Sequence, residues 1–218
     1  MATNLIMNLD QIHIFRIFHI DNLEFILRQN KLTTYNSPDA DPDYRGIGEG
    51  ELIGLRANHE ITTDNSQQTY CPSCNFLPFY FAPRSVMLYR IQSGYKVAQI
   101  PQENIIHMVF KLEDILPDIE YLFTDGHGYA RFTRWFDDVD FLSELDWKTI
   151  PAKQWNDTEI DMDRQRRKQA EFWIKEEISL EKLIGIGVYN QAAFDIVTNL
   201  CQNYQRNIPV KVKNDYYY

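Results

Sequence analysis

The chain has 218 residues, of which 44% are hydrophobic and 24% charged, and its net charge is −9. A chain of this length forms one domain that buries about 70% of the surface exposed on unfolding. The acidic excess argues against non-specific binding of duplex DNA, which usually requires a basic protein. No run approaches the roughly 18 apolar residues of a membrane helix, and residues 1–10 show no secretory signal. We therefore expect a cytoplasmic protein that does not enter a membrane.

The first recognisable element is an apolar run at residues 14–20, typical of a strand buried on both faces. Asp21, with Glu24 three residues later, has the spacing of a capping box and predicts a short helix that ends at Asn30. His19 is the polar exception, at the last strand position. Taken alone, a histidine there is more often a core residue than a ligand.

A polar loop rich in Asp, Pro and Gly follows at residues 37–50 and leads to Arg56. Loops of this kind carry function more often than core elements do. Arg56 is either an ordinary surface charge or a bidentate partner for a phosphate.

Two cysteines, Cys71 and Cys74, form a C-x-x-C motif in a second polar loop at residues 62–75. No second Cys or His pair follows at the spacing of a zinc site, although His59 is a third ligand in principle. We predict no metal, and free thiols in a loop are the simpler interpretation.

An aromatic strand at residues 76–82 contains Tyr80 and precedes a short helix, for which Ser85 is the predicted N-cap and Gly94 the stop. Further strands are predicted at residues 105–112 and 121–124.

The aromatic spacing of Phe132, Trp135 and Phe136 predicts a helix over residues 129–138, with these three rings in the core. A charged segment at residues 157–168 then leads to a strand that begins near Glu171.

A buried strand follows at residues 183–189, and Asn190 is the predicted N-cap of the last helix. A short strand at residues 210–212 closes the fold. Strands and helices are interspersed without regular βαβ alternation, which predicts one α+β domain over residues 1–218 with a mixed or mostly antiparallel central sheet. No Rossmann or P-loop glycine motif has the context needed for nucleotide binding.

Taken together in chain order, these features resemble the histidine–tyrosine–glutamate arrangement of the ADP-ribosyltransferase fold, which cleaves NAD. The chain is most similar to DarT-type DNA ADP-ribosyltransferases. The matching segments are RIFHIDN at 16–22, ELIGLRA at 51–57, PFYFAP at 78–83, FTDGH at 123–127, QAE at 169–171 and GIGV at 185–188.

The resemblance implies a split central β-sheet flanked by helices, and transfer of ADP-ribose from NAD to a base, thymine in the best-known branch, of single-stranded DNA. It also implies the toxin of a toxin–antitoxin system, with a macrodomain antitoxin as partner. The loop at residues 62–75 is longer than the family pattern, which leaves the acceptor base open.

Cleavage of the nicotinamide–ribose bond builds an oxocarbenium-like centre, which a carboxylate stabilises. The resemblance assigns this role to Glu171, otherwise a surface strand carboxylate. It assigns the pyrophosphate to Arg56, which it also makes a catalytic residue. It further implies that His19, Asn22 and Tyr80 bind NAD, although core packing is the alternative for Tyr80.

DNA contacts are expected from His127, in a loop flanked by glycines, and from the basic run Arg164, Arg166, Arg167 and Lys168. Single-stranded DNA suits such a site because its bases can be splayed out. The simpler alternatives are a plain loop histidine and a solvated charge run.

Two other functions remain open at this point. The same NAD chemistry can act on guanine in DNA, on RNA, on protein or on water. Alternatively, the chain is a catalytically silent nucleic-acid-binding module.

Overall fold

The structure is a computed structural model that describes residues 8–48 and 60–218, without the side chains of Ser73 and Cys74. Its strands are β1 (His13–His19), β2 (Lys31–Thr33), β3 (Ile61–Thr62), β4 (Thr69–Tyr70), β5 (Phe76–Tyr80), β6 (Ile105–Lys111), β7 (Tyr121–Thr124), β8 (Trp135–Phe136), β9 (Glu171–Lys175), β10 (Glu177–Ser179), β11 (Leu183–Val188) and β12 (Val210–Val212). Its α-helices are α1 (Leu23–Gln29), α2 (Pro72–Asn75), α3 (Val86–Ser93), α4 (Leu112–Ile115), α5 (Arg164–Arg167) and α6 (Gln191–Asn203). Within these ranges, no helix combines the length and the apolar character needed to cross a membrane.

An eight-stranded sheet organises the fold, in the order β12-β11-β6-β1-β5-β9-β7-β8. Within it, β11 and β12 run parallel, whereas the other neighbouring pairs are antiparallel. The predicted mixed, mostly antiparallel sheet with flanking helices is confirmed.

The sheet is nearly divided between β1 and β5. Strand β1 pairs with β6 along its whole length, from His13 to His19. It pairs with β5 only where Phe15 lies opposite Tyr80. Pro78, two residues earlier in β5, has no backbone N–H to offer to a neighbouring strand, which favours the separation of the two strands there.

The two faces of the sheet are covered by different helices. On one face, Phe18 and Phe79 belong to the main core, which α1 and α6 complete. On the other, Ile17 and Ile105 pack against Leu88 of α3 and against the aromatic residues of the C-terminal segment. We call this second side the α3 face.

Helix ends follow local chemistry at several of the predicted positions. Ser85 accepts a hydrogen bond from the Leu88 N–H at 3.1 Å, and Gly94 ends α3 with φ of 71°. Asn190 caps α6 through the Ala193 N–H, and Asn30 ends α1 in the left-handed region. All four predictions are confirmed.

The predicted capping role of Asp21 is wrong. A short 3-10 turn, Ile20–Asn22, separates β1 from α1, and the residue before α1 is Asn22. The Asp21 N–H donates to Nδ1 of His19 at 3.2 Å, so the imidazole caps this turn.

The predicted helix over residues 129–138 is also wrong. Residues 129–134 form turns and irregular backbone, and Trp135–Phe136 is strand β8, which pairs with β7. Successive strand residues point to opposite faces of a sheet. The rings of Trp135 and Phe136 therefore lie on different faces, and both are buried, whereas Phe132 is 75% exposed. Stacking of Phe136 on Phe123, with ring centroids 5.2 Å apart, favours the strand over a helix.

Cys71 is disulfide-bonded, which corrects the expectation of a free thiol. In the ranges given above, no group of three or more His, Cys, Asp or Glu residues is placed to hold a metal ion.

Candidate active site

Three of the predicted site residues share the α3 face of the sheet. Tyr80 lies directly opposite Glu171 across β5 and β9, and directly opposite Phe15 across β5 and β1. Residues that face each other across antiparallel strands project to the same side, as do residues separated by an even number of positions in one strand. His19 is four residues after Phe15 and therefore projects to this side as well. The fold thus places on one face of the sheet side chains that are 152 positions apart in sequence, from 19 to 171, with His19 four residues along β1 from the row formed by Phe15, Tyr80 and Glu171.

His19 is almost completely buried, with 1% of its surface exposed. Because Nδ1 accepts the Asp21 N–H, a neutral ring carries its proton on Nε2. Burial lowers the pKa of His19; the Asp21 carboxylate raises it, and the charge of Arg45 lowers it further, so the net shift favours the neutral ring. Nε2 is enclosed and has no hydrogen-bond partner among the residues described. The site therefore contains an N–H donor that a ligand hydroxyl can satisfy.

Glu171 is the first residue of β9 and is 5% exposed. Its backbone N–H donates to Oγ1 of Thr124 at 3.0 Å, and that hydroxyl donates to the Gly126 carbonyl. The loop after β7 is therefore attached to the start of β9. Gly128, in this loop, lies so close that a β-carbon there would be 2.8 Å from Oε2 of Glu171.

Tyr80 ends β5 and is half-buried. It packs at the margin of the apolar cluster between the sheet and α3. Part of its ring is thus in the core, while its position opposite Glu171 keeps it at the site.

Asn22 is buried and uses its side-chain amide on the backbone of Arg45. Nδ2 donates to the Arg45 carbonyl at 2.9 Å, and Oδ1 accepts the Arg45 N–H at 2.8 Å. Asn22 therefore holds the loop after β2 against the start of α1, beside His19. The predicted contact between Asn22 and NAD remains a prediction.

Arg56, predicted to bind the pyrophosphate, lies outside the described residues, as does His59.

His127 lies in the loop that covers Glu171. Its backbone N–H donates to the Arg166 carbonyl at 3.0 Å, and its carbonyl accepts from Oγ1 of Thr133 at 2.7 Å. Nδ1 accepts the Tyr129 N–H at 3.3 Å. The histidine is thus fixed in place close to the start of β9.

The side chain of Arg166 is held by hydrogen bonds within the protein. Nε and Nη2 donate to the two carboxylate oxygens of Asp163, and Nη1 donates to Asp125 at 2.6 Å. Nη1 also reaches Thr133 at 3.3 Å. Burial alone would lower the pKa of Arg166, but the hydrogen bonds to Asp163 and Asp125 raise it. Its charge is therefore neutralised by carboxylates.

The next two basic residues are also occupied. Arg167 donates to Asp146 and Asp161. Lys168 is 4% exposed and donates to the Ile150 carbonyl. Burial, with a smaller effect from the charge of Arg84, lowers the pKa of Lys168 to about 8. Neither side chain is free to meet a DNA phosphate without giving up these contacts.

Arg164 differs from its three neighbours. It is half-buried and makes no ion pair with the described residues, and its Nε is enclosed without a hydrogen-bond partner. Of the four basic residues predicted to bind DNA, it has the charge least committed within the protein.

The residues that sequence reasoning missed are those that support the predicted ones. The sequence does point to the loop that contains Asp125 and Gly128, because the segment DGHG is typical of a glycine-flanked loop. The sequence does not reveal that Gly128 contacts Glu171 or that Asp125 contacts Arg166, because each partner is about 40 positions away.

Comparison with known proteins shows what the chain is similar to. Residues 15–218 match the family described as ssDNA thymidine ADP-ribosyltransferase, DarT. A DNA ADP-ribosyl transferase of Thermus sp. (strain 2.9) is 32% identical over 94% of this chain and 95% of its own length. One from Escherichia coli O127:H6 is 32% identical over 91% of this chain and 89% of its own length.

Solved structures of the Thermus sp. 2.9 protein are similar throughout. The complex with ADP-ribosylated ssDNA superposes with a TM-score of 0.84, at 31% identity, over 94% of this chain and 96% of that chain. The complex with NAD+ gives a TM-score of 0.78 over 94% and 97%. The resemblance predicted from the sequence is confirmed, and the chain belongs to the DarT family of ssDNA thymidine ADP-ribosyltransferases.

Proposed function

We propose that this chain transfers ADP-ribose from NAD to a thymine base of single-stranded DNA, and that residues 1–218 form a single domain for this reaction. The observation that supports the proposal is the position of His19, Tyr80 and Glu171 on one face of the sheet. The names of the relatives and the ligands in the Thermus structures support the same reaction.

In this mechanism the bond between the ribose carbon and the nicotinamide nitrogen breaks, and nicotinamide leaves with the electron pair. The carboxylate of Glu171 stabilises the positive charge that develops on the ribose. The Nε2–H of His19 donates to a ribose hydroxyl, which orients the sugar. The ring of Tyr80 stacks beside the nicotinamide, and Arg56 binds the pyrophosphate.

The new bond forms between the ribose carbon and the imino nitrogen of the base. The imino proton must leave as this bond forms, and Glu171 is the base that accepts it. Atoms and charge balance, because the cationic nicotinamide ring of NAD leaves as neutral nicotinamide while the neutral base gains ADP-ribose and releases one proton.

Two surfaces bring the DNA to Glu171. His127 lies in the loop that packs on the glutamate and contacts the acceptor nucleotide. Arg164 meets the strand's phosphates, whereas Arg166, Arg167 and Lys168 act through the protein structure that they stabilise. An otherwise acidic protein needs such a local cation to hold an anionic strand.

The decisive experiment replaces Glu171 by Gln and incubates the protein with NAD and oligonucleotides of each base composition. We expect mass spectrometry to find ADP-ribose on thymine-containing oligonucleotides with the wild type, and none with Glu171→Gln. The matched control is Glu181→Gln, because Glu181 is exposed and lies beyond β10. Normal labelling by Glu171→Gln would remove the mechanism.

The same experiment separates the alternative acceptors. Labelling of guanine oligonucleotides, RNA or protein would keep the NAD chemistry and change the substrate. Failure of the wild type to bind or consume NAD with every acceptor would favour a silent binding module.

The family resemblance also supports a toxin that acts in the cytoplasm and is neutralised by a macrodomain hydrolase. Such a partner removes ADP-ribose from the labelled DNA. Co-expression with a macrodomain protein encoded nearby tests this, since it should restore growth that the wild-type chain arrests and leave a Glu171→Gln strain unaffected.

A further inference from the structure

Arg16 occupies the gap where β1 and β5 separate. It follows Phe15, the last β1 residue that pairs with β5, and its Nη1 donates to the Pro78 carbonyl on the other side of the gap. The guanidinium carbon lies 5.2 Å from the ring centroid of Phe18 and 5.8 Å from that of Phe79. The side chain therefore bridges the two halves of the sheet, three residues before His19.

The charge of Arg16 is not neutralised by the described part of the protein. No carboxylate there pairs with it, and its Nε is enclosed without a hydrogen-bond partner. Nη2 donates to none of the described groups either, although the residue keeps part of its surface exposed. Burial lowers the pKa of Arg16, and the acidic groups that oppose this are the phenols of Tyr44 and Tyr80. Holding a guanidinium in this way is unfavourable unless an anion arrives.

Other arginines around the site show the contrast. Arg45 pairs with Asp21, Arg134 with Asp64 and Glu144, and both Arg166 and Arg167 with aspartates. These four guanidinium groups are neutralised where they stand, in a chain whose net charge is −9. Arg16 leaves β1 on the main-core side, with Phe18, whereas His19 leaves it on the α3 face. Its positive charge reaches into the gap between β1 and β5, where the phenol of Tyr80 acts on it.

We propose that Arg16 binds a phosphate group of the substrate in the gap between β1 and β5, and that the diphosphate of NAD is its source. Nη1 remains on the Pro78 carbonyl, while Nη2 and the second hydrogen of Nη1 donate to phosphate oxygens. A planar guanidinium suits this double role, because it can hold the carbonyl and the anion from different edges. The inference rests on the proposed function, since NAD is the substrate named there.

The test measures the binding of three probes by isothermal titration, without catalysis. ADP-ribose contains the diphosphate, adenosine lacks it, and a thymidine oligonucleotide contains phosphates from the second source. The proteins are the wild type, Arg16→Met and the matched control Arg28→Met, whose exposed guanidinium lies over Phe25 on α1. We expect Arg16→Met to bind ADP-ribose at least about tenfold more weakly, with adenosine and oligonucleotide binding unchanged.

Each other outcome also decides the question. Weaker oligonucleotide binding with normal ADP-ribose binding keeps the phosphate site and assigns it to DNA. Unchanged binding of both anionic probes overturns the proposal. An equal loss of ADP-ribose and adenosine binding also overturns it, because the substitution would then have deformed the cleft.

If Arg16→Met does not fold, the same binding test is made with Arg16→Lys. Lysine keeps the charge but offers a single compact donor group, so we expect several-fold weaker ADP-ribose binding than in the wild type. Equal affinity of Arg16→Lys and the wild type for ADP-ribose would overturn the phosphate contact. Thymine labelling by the wild type is assayed in parallel, so that a failure of the proposed reaction is seen separately from the binding result.

Discussion

Gly128 packs directly against the carboxylate of Glu171, with 2.8 Å between Oε2 and the place where a β-carbon would stand. We predict that Gly128→Ala displaces the carboxylate and lowers the labelling rate by about 100-fold, since small misplacements of a reacting group have large effects. The displaced carboxylate oxygen ends a flexible side chain, but the new β-carbon would also lie 3.2 Å from the buried ring of Trp135, so the free energy of unfolding should fall by about 1 kcal/mol. Labelling kinetics and thermal unfolding check both values.

The control for this prediction is Gly46→Ala, because a β-carbon at position 46 would meet no atom within 4 Å. Full activity of Gly128→Ala would mean that the carboxylate does not need its present position.

Arg166 has the character of a stabilising residue. Its side chain and that of its partner Asp125 are only 14% and 13% exposed. Removal of one member of a buried ion pair leaves the other unpaired, so Arg166→Met should lower the free energy of unfolding by about 3 kcal/mol. Urea titration measures this loss, and Asp125→Asn should reproduce much of it. A variant that stays as stable as the wild type but loses oligonucleotide affinity would instead make Arg166 a DNA contact.

Arg164 should show the opposite behaviour. Arg164→Ala is expected to leave the melting temperature unchanged and to weaken oligonucleotide binding, with the slope of log affinity against log salt concentration reduced by about 0.7. The charge-matched control is Lys211→Ala, which changes an exposed residue of β12 at the far edge of the sheet. An unchanged salt slope would remove Arg164 from the phosphate contacts.

His107 should make stability depend on pH. The residue is fully buried on β6, Nε2 lies 3.1 Å from the Pro83 carbonyl, and burial lowers its pKa from 6.5 to about 4. A lowered pKa means that the unfolded chain binds the proton more tightly. The folded protein therefore has its full stability above pH 6.5, where the His107 ring is neutral. Its free energy of unfolding decreases as the pH falls from 6.5 to 4.

His107→Gln removes this titration. We expect the wild type to lose about 3 kcal/mol relative to His107→Gln over that pH window. Unfolding free energies of the two proteins at a series of pH values give the difference directly. A difference that stays constant with pH would show that His107 does not titrate there.

The strands and several helix ends were predictable because their signals are local. The apolar run that ends at His19, the cap at Ser85 and the stop at Asn30 each depend on neighbouring residues alone. The shared face of His19 and Glu171 also follows from strand periodicity once the pairing of β1, β5 and β9 is known.

The failures came from contacts between distant residues. The segment from Tyr129 to Asp138 has helical spacing, but β7 recruits Trp135 and Phe136 as a strand. The run from Arg164 to Lys168 was expected to face DNA as a whole. Its central residue Arg166 instead pairs with Asp125, 41 positions away, which no local pattern reveals.

Because β1 and β5 pair only at Phe15 and Tyr80, the gap between these strands is a seam that divides the sheet into two halves. His19 lies in one half and Glu171 in the other, on the same face. A compound wedged into that seam would spread the imidazole and the carboxylate apart while leaving the packing around each of them intact. Inhibition of this kind would need no contact with the glutamate, and a mutation at Pro78 or Phe15 would give resistance to it.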